Sequence, residues 1–232
     1  MRPDEGSRDP VAHDDGSAIS ARQAFLRVFP GVMVAMFLAA ADQTILASAL
    51  PTIASSLGGL SDLSWVVVAY LIAATVAAPL YGHLGDRFGR RRMLLGALAV
   101  FTAASAACAL AQTLLALVLA RTLQGLGGGG LMTLAQALIG EHVSPRERGR
   151  FSGYFATVFA LASTSGPVLG AYLTEHVSWR AVFAVNLPLG LLAGALALRV
   201  PHAAPARRER FRPDIVGALI FCTATEIGRA HV

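Results

Sequence analysis

Two charge-free stretches, residues 65–81 and 93–111, flank a segment that packs five charges together at Asp86, Arg87, Arg90, Arg91 and Arg92. Each stretch approaches the roughly 20 apolar residues that a helix needs to cross a bilayer core. The segment between them, residues 82–94, is rich in glycine and far too charged to cross with its neighbours. It reads as a turn joining two membrane spans.

Composition extends this reading to the whole chain. Hydrophobic residues make up 55% of the sequence and charged residues only 14%, which suits a membrane protein and not a soluble domain. The formal net charge of +5 rests on arginine, because the sequence has no lysine. The arginines are spread among loops instead of forming one stripe, which argues against nucleic acid as a partner. Six apolar spans are predicted at residues 31–50, 65–81, 93–111, 114–137, 155–173 and 181–198, in contact with the lipid bilayer.

With the amino terminus inside, the cytoplasmic loops hold Arg87, Arg90, Arg91 and Arg92, then Arg146, Arg148 and Arg150, then Arg199, Arg207, Arg208, Arg210 and Arg212. The opposite loops hold only Arg180. This bias predicts a multi-pass protein of the cell membrane with a cytoplasmic amino terminus.

The flanks are simpler. Residues 1–27 mix Asp4, Glu5, Asp9, Asp14 and Asp15 with arginines and lack apolar periodicity, so a disordered cytoplasmic tail is expected. The following apolar run is too long for a cleaved signal and reads as a retained anchor. Residues 28–200 then form the bundle, and residues 201–213 a basic cytoplasmic loop. A seventh apolar run opens at Asp214 and meets Glu226 and Arg229 within residues 214–232. It is too short to span, and is expected to be a truncated helix whose last residues are foreign to the parent protein, with a short interfacial helix as the alternative. Cys108 and Cys222 lie in apolar segments without metal-ligand spacing and read as packing residues.

Two charges fall inside the apolar spans. Asp42 lies near the middle of the first, where a carboxylate costs a few kcal/mol unless it is solvated, paired or protonated. Either it loads and releases a proton as water access alternates, or it is paired permanently within the bundle. Arg121 lies in the fourth span with Gln124 on the same helical face. A guanidinium stays charged, so Arg121 would bias a nearby carboxylate or hold a water chain; a snorkelling or structural arginine is the alternative. The glycines at 125 and 127–130 remove side chains where another helix can approach closely.

Several motifs carry a resemblance. Gly82-x-Leu84-x-Asp86-Arg87-x-Gly89-Arg90-Arg91 closely resembles the cytoplasmic signature loop of the major facilitator superfamily of secondary transporters. In that loop Gly85 and Gly89 would let the backbone turn, while Asp86 would sit near a helix start and pair with the arginines. Arg121-x-x-Gln124-Gly125-x-Gly127 is similar to a second signature of the family, and Gly166-Pro167-x-x-Gly170 to one associated with its proton antiporters. The last match is partial, with Ala171 and Ala162 at two glycine positions, and a generic kinked helix explains the same residues. Trp179-Arg180-x-x-Phe183-x-x-Asn186-x-Pro188-x-Gly190 resembles the drug:proton antiporter branch with fourteen predicted spans. There Trp179 would anchor at the water interface, and Asn186 and Pro188 would redirect the helix backbone. Ala41 and Ala47-Ser48 depart from that branch's usual residues. The resemblance covers residues 30–200.

The resemblance implies an all-α membrane protein: a six-helix amino-terminal bundle of the major facilitator type plus a partial seventh helix. It implies proton coupling through Asp42, Arg121 and Gln124, an amphipathic or cationic small-molecule substrate, and a partnering carboxyl-terminal half. The sequence offers no phosphate loop, metal cluster or nucleophile elbow, so no enzyme activity and no cofactor are expected, and energy would come from a proton gradient. Two function classes stand: half of a proton-coupled efflux transporter, or a non-transporting membrane module or inactive fragment.

Overall fold

The computed structural model describes residues 15–58, 62–142 and 148–199. Residues 1–14, Arg146, the basic loop expected at 201–213 and the apolar run at 214–232 lie outside the described residues. Among the described residues the structure is helical and has no strand: α1 Asp15–Leu57, α2 Ser64–Phe88, α3 Arg90–Leu110, α4 Leu114–His142, α5 Arg148–His176, α6 Ala181–Ala184 and α7 Asn186–Ala197.

Each of the first five predicted spans is matched by one helix and the sixth by two, and α1, α2, α4 and α5 run past the apolar stretches. Backbone hydrogen bonds continue as long as no residue breaks them, whereas hydropathy stops at the first charge. The difference is largest in α1, which begins at Asp15, so residues 15–27 are helical where a disordered tail is expected. That stretch contains Ala18, Ala21, Arg22, Gln23 and Ala24. These are good helix formers that extend an existing helix without a new nucleus.

The glycine-rich turn likewise contracts. α2 continues through Gly82, Gly85, Asp86 and Arg87, and α3 starts at Arg90. Only Gly89 lies between them, at φ 94°, with its N–H donating to the Gly85 carbonyl at 2.9 Å. That backbone conformation favours glycine. Asp86 therefore occupies the last turn of α2 and not a helix start. Gly85 serves packing instead of turning, since a Cβ there would lie 2.8 Å from Leu134 Cδ2.

Among the described residues, five helices are long and apolar enough to cross a membrane; the sixth segment, Ala181–Ala197, is shorter. At the helical rise it still reaches roughly 25 Å, near the hydrocarbon thickness. It is divided at Val185, two residues before Leu187-Pro188. Pro188 has no N–H to give the preceding turn and is tolerated in the first turn of a helix, so the helix restarts at Asn186.

The core sits around α1 and α4. α4 packs against α2 and α3, while α1 packs against α5, α4 and α7. One apolar cluster takes Val32, Met36, Phe101, Leu131 and Leu138, and a second takes Ile45, Leu46, Ile53, Leu117 and Phe183. The buried polar side chains of these helices lie where the clusters meet: Ser105 between Phe101 and Cys108 on α3, Arg121 and Gln124 between Ala120 and Leu131 on α4, and Asp42 at the start of the second cluster on α1.

A buried ion pair as the candidate functional site

The polar seam is a closed set of hydrogen bonds at the centre of the bundle. Asp42 is 2% exposed, and Arg121, Gln124 and Ser105 are fully buried. Arg121 Nη1 donates to Asp42 Oδ2 at 2.6 Å and to Gln124 Oε1 at 2.7 Å. Gln124 Nε2 donates to Asp42 Oδ1 at 2.8 Å and to Ser105 Oγ at 2.7 Å. Asn186 Nδ2 reaches Asp42 Oδ1 from α7 at 2.6 Å. Ser105 Oγ donates to the Phe101 carbonyl at 2.8 Å, and Arg121 Nε to the Val66 carbonyl at 3.2 Å. Five helices thus share one network, in which α4 and α7 bond the carboxylate of α1 directly.

Glycines allow α4 to bring Arg121 and Gln124 this close. A Cβ at Gly125 would fall on the Tyr70 carbonyl, and one at Gly127 would lie 2.6 Å from the Phe101 nitrogen. At Gly128 it would meet the Tyr70 hydroxyl. With those side chains absent, the Tyr70 ring lies 4.3 Å from Arg121 Cζ, a cation–π contact on the guanidinium face. A buried guanidinium stays charged, so the carboxylate and the ring are what offset its desolvation. Two polar atoms of the set remain without partners: Arg121 Nη2 and Asn186 Oδ1.

α5 is held to the same region of α1. Thr44 Oγ1 donates to the Ala162 carbonyl at 2.9 Å. A Cβ at Gly166 would collide with Thr44, and one at Gly170 with the Ile45 carbonyl and Ser48. Pro167 lies inside α5, where its missing N–H frees the Ser163 carbonyl.

The arginines at the ends act as clamps. Arg90 bonds Asp86 Oδ1 at 2.8 Å, Glu141 at 3.2 Å and the Ala137 carbonyl at 2.6 Å, tying the α2–α3 turn to the end of α4. Arg91 donates to the Ala197 and Leu198 carbonyls at the end of α7, where a cation suits the helix dipole. Arg87 lies over the Phe88 ring, and Gly82 and Asp86 line a shallow groove between α2 and α4 with His83 and Thr133. At the other end Arg180 bonds the Ala111 carbonyl at 3.0 Å and stacks on Trp179.

Sequence reasoning singled out Asp42, Arg121 and Gln124, and the structure brings these three together. It corrects two other expectations. Trp179 is buried at 3% exposure, edge-on to Phe183, so its ring is covered by protein. Asn186 does more than redirect the backbone, since its side chain bonds Asp42. Ser105 and Tyr70 were not singled out. A serine amid alanines in the third span was the available signal for the first, and nothing in the sequence marks Tyr70. Cys108, read as packing, also lies 3.6 Å from Gln124 Oε1.

A helical membrane bundle with an ion pair sealed at its middle defines a multi-pass α-helical membrane protein with a charged intramembrane site. Residues 32–226 match the model of the Major Facilitator Superfamily, and the chain belongs to that family of membrane transporters. Similar proteins include the uncharacterised MFS-type transporter Rv1877 of Mycobacterium tuberculosis, 40% identical over 200 residues that cover 85% of this chain and 29% of that protein. The multidrug transporter protein MdtP of Bacillus subtilis is 40% identical over 163 residues, covering 70% of this chain and 30% of that protein. Among solved structures, the proton:xylose symporter XylE aligns with a TM-score of 0.70 at 19% identity over 78% of this chain and 46% of that one, a likeness of fold. The chain spans about a third of the length of the curated relatives it matches.

Proposed function

We propose that this chain is the amino-terminal half of a proton-coupled multidrug efflux transporter, which exports an amphipathic or cationic compound as a proton enters. The observation that carries the reading is the Asp42 carboxylate, buried where two apolar clusters meet and held by Arg121, Gln124 and Asn186. The similarity to MdtP supports the multidrug class.

The mechanism follows from charge. With donors on both oxygens, Asp42 is held as a carboxylate, paired to Arg121. Proton uptake neutralises it and weakens its hold on the guanidinium, which frees α1 and α4 to shift. A single carboxylate cannot hold a proton and attract a cation at once, so the two ligands exclude one another, as exchange requires. Arg121 pairs with the carboxylate without carrying the proton, and Gln124 bridges the two side chains. Two halves rocking about a midplane site would expose Asp42 to each side in turn. The clamps at Asp86, Arg87, Arg90 and Arg91, with Gly82, Gly85 and Gly89, form the cytoplasmic gating element in this reading. Gly166, Pro167 and Gly170 let α5 slide closely on α1. The carboxyl-terminal half supplies the opposite wall, the plasma membrane houses the protein with its amino terminus in the cytoplasm, and the proton gradient supplies the energy without a cofactor.

The test uses the complete transporter in proteoliposomes with an imposed pH gradient and ethidium as the exported cation. Asp42→Asn keeps the shape and a carbonyl acceptor for Arg121, so protein is expected in the membrane at normal level with gradient-driven efflux abolished. Efflux at the normal rate with Asn at this position would end the proposal.

A further inference from the structure

The geometry points to Asn186 as a positioning residue that serves both protonation states of Asp42, by turning its carboxamide. This inference rests on the reading of Asp42 as the proton carrier.

The two protonation states of Asp42 need different partners. As a carboxylate it accepts bonds from four donors, Arg121 Nη1, Gln124 Nε2, Asn186 Nδ2 and, at the longer distance of 3.4 Å, Gln43 Nε2. Once protonated, it carries a hydroxyl that must find an acceptor, because an unsatisfied buried polar group is costly. Three acceptors of the fully buried network are engaged. Gln124 Oε1 takes Arg121 Nη1 and the Cys108 thiol, Ser105 Oγ takes Gln124 Nε2, and the Val66 carbonyl takes Arg121 Nε. Asn186 Oδ1 is the exception: it is buried and has no partner, on a side chain already in contact with Asp42.

Asparagine carries a donor and an acceptor on one planar group. A half-turn about Cβ–Cγ replaces Nδ2 with Oδ1 at the Asp42 oxygen, so the amide donates to the carboxylate and accepts from the acid. Gln124 has the same chemistry but is locked, since both ends of its amide are bonded. Asn186 also stands at the restart of the sixth segment, in the first turn of α7, bonded otherwise only to Ser105 Oγ at 3.4 Å. The titratable groups facing this pair are Arg121 from α4, Tyr70 from α2 and Cys108 from α3. Arg121 has no acceptor and the Cys108 thiol is bonded to Gln124, while Gln43, the other amide on Asp42, is half-buried and more distant, so the fully buried acceptor poised to complete the protonated state is Asn186 Oδ1.

The experiment takes infrared difference spectra, acid minus neutral, of the complete transporter with isotope-labelled asparagine. A carboxylic C=O band that disappears in Asp42→Asn marks the protonated carrier. The switch requires a labelled amide C=O band changing with it, lost in Asn186→Leu. In parallel, gradient-driven efflux should fall at least about tenfold in Asn186→Leu, and Asn186→Ser, whose hydroxyl donates or accepts by rotation, should restore part of it. Packing alone predicts the reverse order, because leucine fills the asparagine volume and serine leaves a void. An acid band from Asp42 without a paired amide band would overturn the role of Asn186 and leave the carrier reading intact. So would Asn186→Leu outperforming Asn186→Ser. Absence of any Asp42-dependent acid band would overturn both.

Discussion

Arg121 and Arg90 make nearly the same bonds and do different things. Each pairs with an aspartate, Arg121 with Asp42 at 2.6 Å and Arg90 with Asp86 at 2.8 Å, and each also reaches a backbone carbonyl of another helix. The Asp42–Arg121 side chains are 1% and 0% exposed, whereas those of Asp86 and Arg90 are 59% and 24% exposed. At the water edge, solvent replaces whatever the pair loses, so the pair is a clamp with a small energy. In the bundle centre nothing replaces a lost partner, and the charge state of one group governs the other. The same chemistry is a fastening in one place and, in the proposed mechanism, a switch in the other.

The sharpest break of the comparison is Asp42→Leu. It strands a guanidinium that cannot shed its charge, and thermal unfolding in detergent should show a loss of about 3–5 kcal/mol. Arg121→Leu strands a carboxylate instead, which can become neutral by taking up a proton. Its instability should be comparable near pH 8 and should shrink by as much as about 1.4 kcal/mol per pH unit on acidification, whereas that of Asp42→Leu should not. The sign follows because the folded variant binds a proton that its unfolded chain releases. Equal pH response of the two variants would remove the distinction.

Packing beneath the buried pair comes next. Gly125→Ala places a methyl on the backbone of α2 at Tyr70, and Gly128→Ala places one on the movable Tyr70 hydroxyl. The first should cost about 1–3 kcal/mol and the second less, read from the same unfolding curves. Smallest is Arg90→Ala at the exposed clamp, expected at about 1 kcal/mol or less and diminishing in high salt, while the Asp42 and Arg121 variants remain insensitive to salt.

Much of this architecture is legible in the sequence because a bilayer demands long apolar runs and penalises any charge within them. Asp42 and Arg121 stand out for that reason alone, and Gln124 follows from helical spacing to Arg121. The helix ends were not legible in the same way: residues 82–88 look like a loop by charge and glycine content, yet backbone bonding carries α2 through them until Gly89. Trp179 shows the same limit from the other side, since an aromatic suited to an interface is equally suited to a buried place beside Arg180.

What the sequence determined by itself is the class, the spans and the two charges that a membrane would not otherwise accept, because hydropathy belongs to each segment in turn. Which groups satisfy those charges was decided only by tertiary structure. Asn186 lies 144 residues from the carboxylate it touches, and Ser105 lies 19 from Gln124. A polar side chain acquires its function here from the partners that packing places within about 3 Å, and no single stretch of sequence contains both members of the pair.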